Sequence, residues 1–176
     1  MALAYEEYYT IEDYRKWDGD WELIYGMPYA MAPFALPSHQ VVSSNILFEL
    51  KKQLENCEEC EAIMESEIVI SKDTVLRPDV IVYCDEITDK LTKTPPLIFE
   101  VTSPSTFKRD EIIKKEIYEK EGVRYYTIVY PDEKRVKIYK NIDGRFVKVG
   151  DEDKFKYEFD CEIEVDFSKV WLKDKK

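Results

Sequence analysis

The fold is constrained most by a succession of short apolar runs that lie between turn residues. The run VIVYC spans residues 80–84, LIFEVT spans 97–102, and VRYYTIVY spans 123–130. Each run is rich in Val, Ile and aromatic residues, and proline or glycine lies close to each, which is typical of β-strands. We therefore expect a β-strand in each of these three runs.

Helical patterns alternate with these strands. After Pro37, apolar residues recur every three or four positions through Leu54, which predicts a long helix with one apolar stripe. A short helix is predicted at 10–17, and a second flanking helix at 110–121 ends at a glycine. Further strands are predicted at 21–31, 62–71, 135–149 and 162–165, the first and third of these as hairpins. This order predicts a single α/β domain over residues 1–176, with a mixed sheet flanked by helices.

The charge distribution limits the kinds of partner. The net charge of −11 argues against a protein whose whole surface is basic. Residues 134–148 nevertheless carry six bases and one acid, a local stripe that could face phosphates. The apolar runs are too short to span a membrane, and no basic segment precedes an apolar one at the N-terminus, so we expect a cytoplasmic protein.

Four cysteines are present, at positions 57, 60, 84 and 161. Cys57 and Cys60 form a C-x-x-C pair at the end of the long helix, among several glutamates. A zinc site of the usual kind needs a second close pair, which the sequence lacks. The acidic surroundings would also blunt a redox thiol. We expect ordinary cytosolic thiols.

Two carboxylates stand out by their position. Asp79 begins the strand VIVYC, and Glu100 lies inside LIFEVT, on the face opposite to Phe99. A charge in an apolar strand is costly unless it is paired or bound to a metal. If the two strands are neighbours, both carboxylates could bind one Mg²⁺ ion. The alternatives are a salt bridge for Glu100 and a turn position for Asp79.

The downstream helix supplies a lysine. Lys114 shares a helix flank with Asp110 and Tyr118 and borders the apolar stripe, so it could reach a site at the sheet. Lys115 falls instead with glutamates on a solvated face. The alternative for Lys114 is an ordinary ion pair with Asp110. We predict that replacing Lys114 abolishes activity and leaves folding nearly unchanged.

Two further residues are candidates for supporting roles. His39, the only histidine, opens the long helix, where the helix N-terminus would lower its pKa and keep it neutral. It could bind a metal, act as a base or contact a phosphate, or it could be an exposed polar residue. Glu22 lies between Trp21 and Leu23 on an early strand. It could add a third carboxylate, although alternation alone favours a solvent-facing position.

These residues lie within a series of motifs that resembles the Uma-two family of putative restriction endonucleases, in the PD-(D/E)XK nuclease superfamily. The series begins with WELIYGM and Pro37-Ser38-His39. It continues with Arg77-Pro78-Asp79-Val80, FEVTSPST at 99–106, and Asp110-x3-Lys114-x3-Tyr118-x3-Gly122-Val123. The motifs occur in the family's order over residues 14–139.

The resemblance implies a restriction-endonuclease-like core and a metal-dependent endonuclease that hydrolyses phosphodiester bonds in nucleic acid, with DNA as the expected substrate. It implies that Asp79 and Glu100 bind Mg²⁺ or Mn²⁺, that Lys114 is catalytic, and that Glu22 and His39 assist. Thr102 stands where the superfamily usually has its lysine. A homo-oligomer is expected, because cutting both strands needs two sites.

Two alternatives to the enzyme remain open at this point. The first is a nuclease-like fold that has lost turnover and serves as a nucleic-acid or protein-binding module. The second is an acidic interaction protein whose charge of −11 binds a basic partner.

Overall fold

The computed structural model describes residues 7–31 and 36–174. Contacts divide the chain into two units, one formed by Met1–Ala35 with Glu67–Arg77 and the other by Leu36–Ser66 with Pro78–Lys176. The assignment of all 176 residues to a single domain stays a prediction.

The first unit is a small antiparallel sheet with one short helix. Its strands are β1 (Trp21–Ile24), β2 (Met27–Ala30), β4 (Ile68–Ser71) and β5 (Thr74–Leu76), in the spatial order β2-β1-β5-β4. Helix α1 spans Ile11–Tyr14. The predicted β1–β2 hairpin is confirmed, and its turn places both central residues at positive φ, which glycine tolerates best.

The second unit is built on a six-stranded mixed sheet in the order β10-β9-β8-β7-β6-β3. Its central strands are β6 (Val80–Tyr83), β7 (Leu97–Val101) and β8 (Tyr125–Tyr130), and every residue in these three strands is buried. The outer strands are β3 (Glu61–Met64), β9 (Arg135–Ile142) and β10 (Arg145–Gly150). Only the β7–β8 pair is parallel. The strands predicted in the three apolar runs are therefore present.

Helices cover both faces of this sheet, as the fold prediction required. Helix α2 (Pro37–Leu54) packs its apolar stripe against the face that presents Phe99 and its alternate neighbours in β7. The opposite face presents Ile98 and Glu100 to the helical segment 109–120. This segment begins as a π-helix, Arg109–Lys114, and continues as α3, Lys115–Lys120. The predicted mixed sheet flanked by helices is confirmed.

The predicted strand over residues 62–71 is divided in the structure. Glu65 adopts a left-handed conformation, with φ of 50°, and ends the pairing of β3. The chain then begins β4, which belongs to the other sheet. Apolar content cannot reveal such a break, because both halves are equally strand-like.

Two hairpins complete the second unit. The predicted β9–β10 hairpin turns at Asp143 and Gly144, both at positive φ. The C-terminal alternation forms β12 (Glu162–Asp166), which pairs with β11 (Lys154–Glu158) and buries Ile163 and Val165. Among the described residues, no helix is both long and apolar enough to cross a membrane.

The cysteines are not ordinary free thiols, so that expectation is wrong. The structure pairs Cys57 with Cys161 and Cys60 with Cys84 as disulfides. The fold brings them together because Cys60 and Cys84 extend the register of the β3–β6 pair beyond Glu61 and Tyr83. Cys161 immediately precedes β12, which packs on the end of α2. The paired cysteines are 24 and 104 residues apart in the chain, so no local pattern in the sequence indicates which of them are bonded.

Candidate active site

Glu100 lies at the C-terminal end of β7 and is 3% exposed. Its Oε1 accepts hydrogen bonds from Lys114 Nζ and from the hydroxyl of Tyr118, both at 2.9 Å. A buried carboxylate is tolerated only when cations and donors of this kind stabilise it. The alternation of β7 therefore predicted the face of Glu100 correctly, and the helix on that face supplies its partners.

Asp79 lies directly beside this position. The antiparallel register pairs Val80 with Phe99, so Asp79 falls opposite Glu100 where the pairing is extended by one residue. The Oδ2 atom of Asp79 accepts the backbone N–H of Val101 at 2.7 Å. The two candidate metal ligands thus stand at the same end of neighbouring strands, which is the condition that the sequence analysis set for a shared cation.

Lys114 is more deeply placed than its spacing indicated. Its side chain is 5% exposed, and its Nζ also lies 3.8 Å from Oδ1 of Asp110. Asp110, Lys114 and Tyr118 all face the sheet, because spacings of four along the helical segment place them on one side. The ion pair with Asp110 that we held as an alternative is present, in addition to the bond with Glu100.

His39 is the second partner of Asp79. Its Nε2 lies 3.1 Å from Asp79 Oδ1, and its Nδ1 lies 3.5 Å from the hydroxyl of Ser43. Burial lowers the pKa of His39, but the hydrogen bond to Asp79 and the negative charge of nearby acids outweigh burial. The pKa therefore lies above its ordinary value of 6.5. This direction is opposite to the lowering of the pKa that we expected from the helix N-terminus.

Glu22 belongs to the first unit, where it is 2% exposed. Its Oε1 accepts the backbone N–H of Arg77 at 2.8 Å. The solvent-facing position favoured by alternation is therefore wrong. The part of Glu22 in the active site stays a prediction.

Sequence reasoning missed two contributors to this site. The sequence gives Tyr118 a place beside Lys114 and in the family motif but no role, whereas in the structure its hydroxyl donates to the same oxygen of Glu100. Tyr126 is fully buried beneath the helix, and its hydroxyl donates to the backbone carbonyl of Asp110. Burial, together with the charge of Asp110, raises the pKa of Tyr126 well above its ordinary value. The Asp-x3-Lys-x3-Tyr spacing was a signal for Tyr118, but nothing local pointed to Tyr126.

The donor set suits a hard divalent cation. Asp79 and Glu100 offer carboxylate oxygens at adjacent strand positions, which is the chemistry that Mg²⁺ and Mn²⁺ prefer. Among the described residues, groups of three or more His, Cys, Asp or Glu whose ligand atoms all lie within 4.8 Å of one another occur only around the cysteines. Two carboxylates would leave most coordination positions of such an ion to water, which is typical of Mg²⁺.

A cavity of about 500 Å³ opens near the end of β7. Thr102 and Ser103 line one part of it, and Glu111, Arg135 and Lys137 line another. Lys137 Nζ donates to Glu111 Oε1 at 2.8 Å. The cavity is therefore lined by two basic residues, Arg135 and Lys137, and each of them is paired with a glutamate that also lines it.

The basic hairpin is less available to phosphates than its sequence suggested. Five of its bases form ion pairs within the second unit, and the sixth, Lys140, lies over the ring of Tyr125. The paired bases are Lys134, Arg135, Lys137, Arg145 and Lys148. Most of these pairs are solvent-exposed and therefore weak, so a phosphate could still compete for the bases.

The fold of this protein has a counterpart among solved structures. A solved chain with the same fold, described as a putative nuclease belonging to DUF820 from Anabaena variabilis, superposes with a TM-score of 0.70. It is 18% identical, and the match covers 85% of this chain and 88% of that one. The comparison with curated proteins gives no match.

The family model described as "Uma2: Putative restriction endonuclease" matches residues 5–156. The chain belongs to this family, and the resemblance drawn from its motifs is confirmed.

Proposed function

We propose that this protein is a metal-dependent endonuclease that hydrolyses phosphodiester bonds in DNA. One observation carries the proposal: Glu100, buried in an apolar strand, has Asp79 at the neighbouring strand position and Lys114 within hydrogen-bond distance. A purely structural ion pair would not need the second carboxylate at this position. Membership of the restriction endonuclease family supports the same reaction class.

Asp79 and Glu100 would hold the metal ion, Mg²⁺ or Mn²⁺. When bound, such an ion lowers the pKa of a coordinated water and offsets charge that develops on the phosphate. The protein positions these ligands before any ion arrives, because Val101 N–H and His39 hold the two oxygens of Asp79. Glu22 would assist if the first unit brings it to the site.

Lys114 is the residue that we assign to electrostatic catalysis. Its ammonium group is buried, so its charge is poorly screened and interacts strongly with a phosphate oxygen that approaches Glu100. Tyr118 keeps Glu100 Oε1 in place through its hydroxyl. Removing a single positioned donor of this kind typically reduces turnover by about 10²–10³-fold.

DNA is the proposed substrate, and a homo-oligomer is the proposed assembly, since two sites are needed to cut two strands. The net charge of −11 and the paired bases of the hairpin favour weak binding. We therefore expect affinity that requires the divalent ion and falls steeply with salt. The cytoplasm is the proposed location, from the sequence analysis above.

Cleavage of supercoiled plasmid, with and without Mg²⁺ or Mn²⁺, tests the proposal. We expect metal-dependent nicking that is lost in Asp79→Asn and reduced about 10²–10³-fold in Lys114→Met. Lys115→Met is a matched control, because Lys115 follows Lys114 directly but lies over the ring of Tyr139, at 4.0 Å. Equal activity in the Asp79→Asn variant and the wild type would refute the assignment.

A nuclease-like binding module is the second candidate, and one observation favours it. Both oxygens of Asp79, and Oε1 of Glu100, already accept protein hydrogen bonds, so a metal must compete with these donors. Titration calorimetry with Mn²⁺ separates the candidates. If the protein is an enzyme, Mn²⁺ binding should produce heat that is lost when Asp79 or Glu100 is replaced. If Mn²⁺ produces no heat of binding and the protein still binds DNA, the binding module is supported.

A further inference from the structure

The four cysteines form one cluster and not two separate bridges. The Sγ atoms of Cys57, Cys60 and Cys161 all lie within 4.8 Å of one another, and Cys161 Sγ lies 3.4 Å from Cys60 Sγ. The latter two belong to different disulfides. The four cysteine sulfurs therefore meet at one place in the second unit.

Each part of this cluster comes from a different element. Cys57 and Cys60 lie in the connection between α2 and β3 with two residues between them, which is the spacing of a zinc-binding pair. Cys84 follows β6, and Cys161 precedes β12. The fold thus supplies the second pair of ligands that the sequence lacked, from positions separated by 77 residues (161 minus 84).

We propose that the reduced protein binds one Zn²⁺ ion through the thiolates of Cys57, Cys60, Cys84 and Cys161. Thiolates are the soft ligands that zinc favours, and four of them give the closed tetrahedral geometry of a structural site. With Zn–S bonds of about 2.3 Å, the sulfurs need to stand just under about 4 Å apart. To reach this spacing, each bonded pair of sulfurs, about 2 Å apart in a disulfide, would have to separate by roughly a further 2 Å.

The reaction that links the two forms is balanced as follows. Each disulfide takes up two electrons and two protons when it opens. One phosphine supplies the electrons, and one water supplies the protons and the oxygen of the phosphine oxide. Four thiols then bind Zn²⁺ and release four protons as they become thiolates. In a reducing compartment, where disulfides are rare, the metal form is the one that persists.

The site would link three elements of the second unit. Cys60 is 4% exposed, and the other three cysteines pack against the core that α2 shares with β12. An ion at this place would tie the end of α2 to the start of β12 and to the end of β6. We therefore assign it a structural role, separate from the carboxylate site.

Metal content and thiol count test the proposal on the wild-type protein. The chain is purified with a phosphine reductant and zinc in the growth medium, then measured by elemental analysis and by alkylation under denaturing conditions with chelator. We expect one zinc per chain and four alkylated thiols. No zinc, with either no alkylated thiol or four, would overturn the proposal.

Substitutions then identify the ligands. We expect Cys60→Ser and Cys84→Ser to lose the zinc, and Co²⁺-loaded wild type to show thiolate-to-cobalt charge-transfer absorption. Asp160→Asn is the matched control, because an Asp160 carboxylate oxygen lies within 4.8 Å of Cys60 and Cys84 but is not among the proposed ligands. Loss of zinc in Asp160→Asn alone, with retention in Cys60→Ser, would contradict the four-thiolate site. Glu100→Gln should retain zinc, which separates this result from the nuclease proposal.

Discussion

Replacement of Lys114 by methionine should destabilise the second unit strongly. Methionine keeps most of the length of the lysine side chain but removes its charge. In the wild type, Lys114 Nζ lies 2.9 Å from Glu100 Oε1 and 3.8 Å from Asp110 Oδ1, and all three side chains are at most 5% exposed. The substitution therefore takes the ammonium group away from two buried carboxylates.

The magnitude follows from the burial of these charges. Removal of one partner from a buried ion pair typically costs about 3–5 kcal/mol, because the remaining charge stays desolvated. This is a large part of the 5–15 kcal/mol that stabilises a typical domain. The structure thus revises the prediction that a Lys114 substitution leaves folding nearly unchanged, since helical spacing gave no measure of burial.

Urea unfolding followed by far-UV circular dichroism measures the effect, at one fixed redox state for all variants. We expect a lower midpoint with an unchanged slope, which indicates a change in stability alone. The double variant Lys114→Met/Glu100→Gln should be more stable than Lys114→Met, because the amide removes the buried charge and can still accept from Tyr118. A coupling energy of about 1–3 kcal/mol is expected from this cycle.

The control is Lys115→Met, which removes only a cation over the ring of Tyr139 and should cost less than about 1 kcal/mol. If Lys114→Met and Lys115→Met have the same free energy of unfolding, the buried pair does not carry the stability that we assign to it. The assignment would also be contradicted if the double variant lost more free energy of unfolding than Lys114→Met and Glu100→Gln lose in total.

Two further predictions concern other parts of the chain. Gly26→Ala should lower the melting temperature more than Gly122→Ala does. Both glycines have positive φ, which costs a residue with a side chain about 1–2 kcal/mol. Only at Gly26 would the new Cβ also clash with a tyrosine ring. Hydrogen bonds, first from Lys137, lower the pKa of Glu111, so its stabilising effect is present above its ordinary pKa of 4.5 and is lost as pH falls through the lowered value. The urea midpoint of Glu111→Gln should therefore lie below that of the wild type at pH 7 and converge with it in acid; a constant difference at all pH values would contradict this.

Local patterns predicted the parts of the site that depend on strand and helix period. Alternation in β7 placed Glu100 opposite the face of Phe99, and a spacing of four placed Asp110 and Lys114 on one side of their helix. These predictions were sound because side-chain direction follows directly from backbone periodicity. Depth of burial does not follow from backbone periodicity, so the spacing that places Lys114 at the border of the apolar stripe does not show that its side chain is buried.

Long-range pairing accounts for what the sequence did not show. The cysteine cluster depends on the register of β3 with β6 and on the docking of β12, neither of which leaves a local signal. The basic hairpin was judged by composition, yet Glu111 and Glu119, from the helical segment, pair with its Lys137 and Arg145. Charge counted along a chain cannot anticipate partners supplied by another element.

The register of β6 with its two neighbours, β7 and β3, has a consequence for how the molecule reaches its native state. All four residues of Val80–Tyr83 are buried, so a slip by one position would exchange apolar side chains between two apolar faces at little hydrophobic cost. Alignment must therefore be specified by polar and sulfur contacts at the two ends of the strand. Asp79 bonds Val101 N–H at one end, and Cys84 meets Cys60 at the other. Asp79 and the two cysteines therefore also select one alignment of the strands. Their replacement would produce chains with misaligned strands as well as inactive ones.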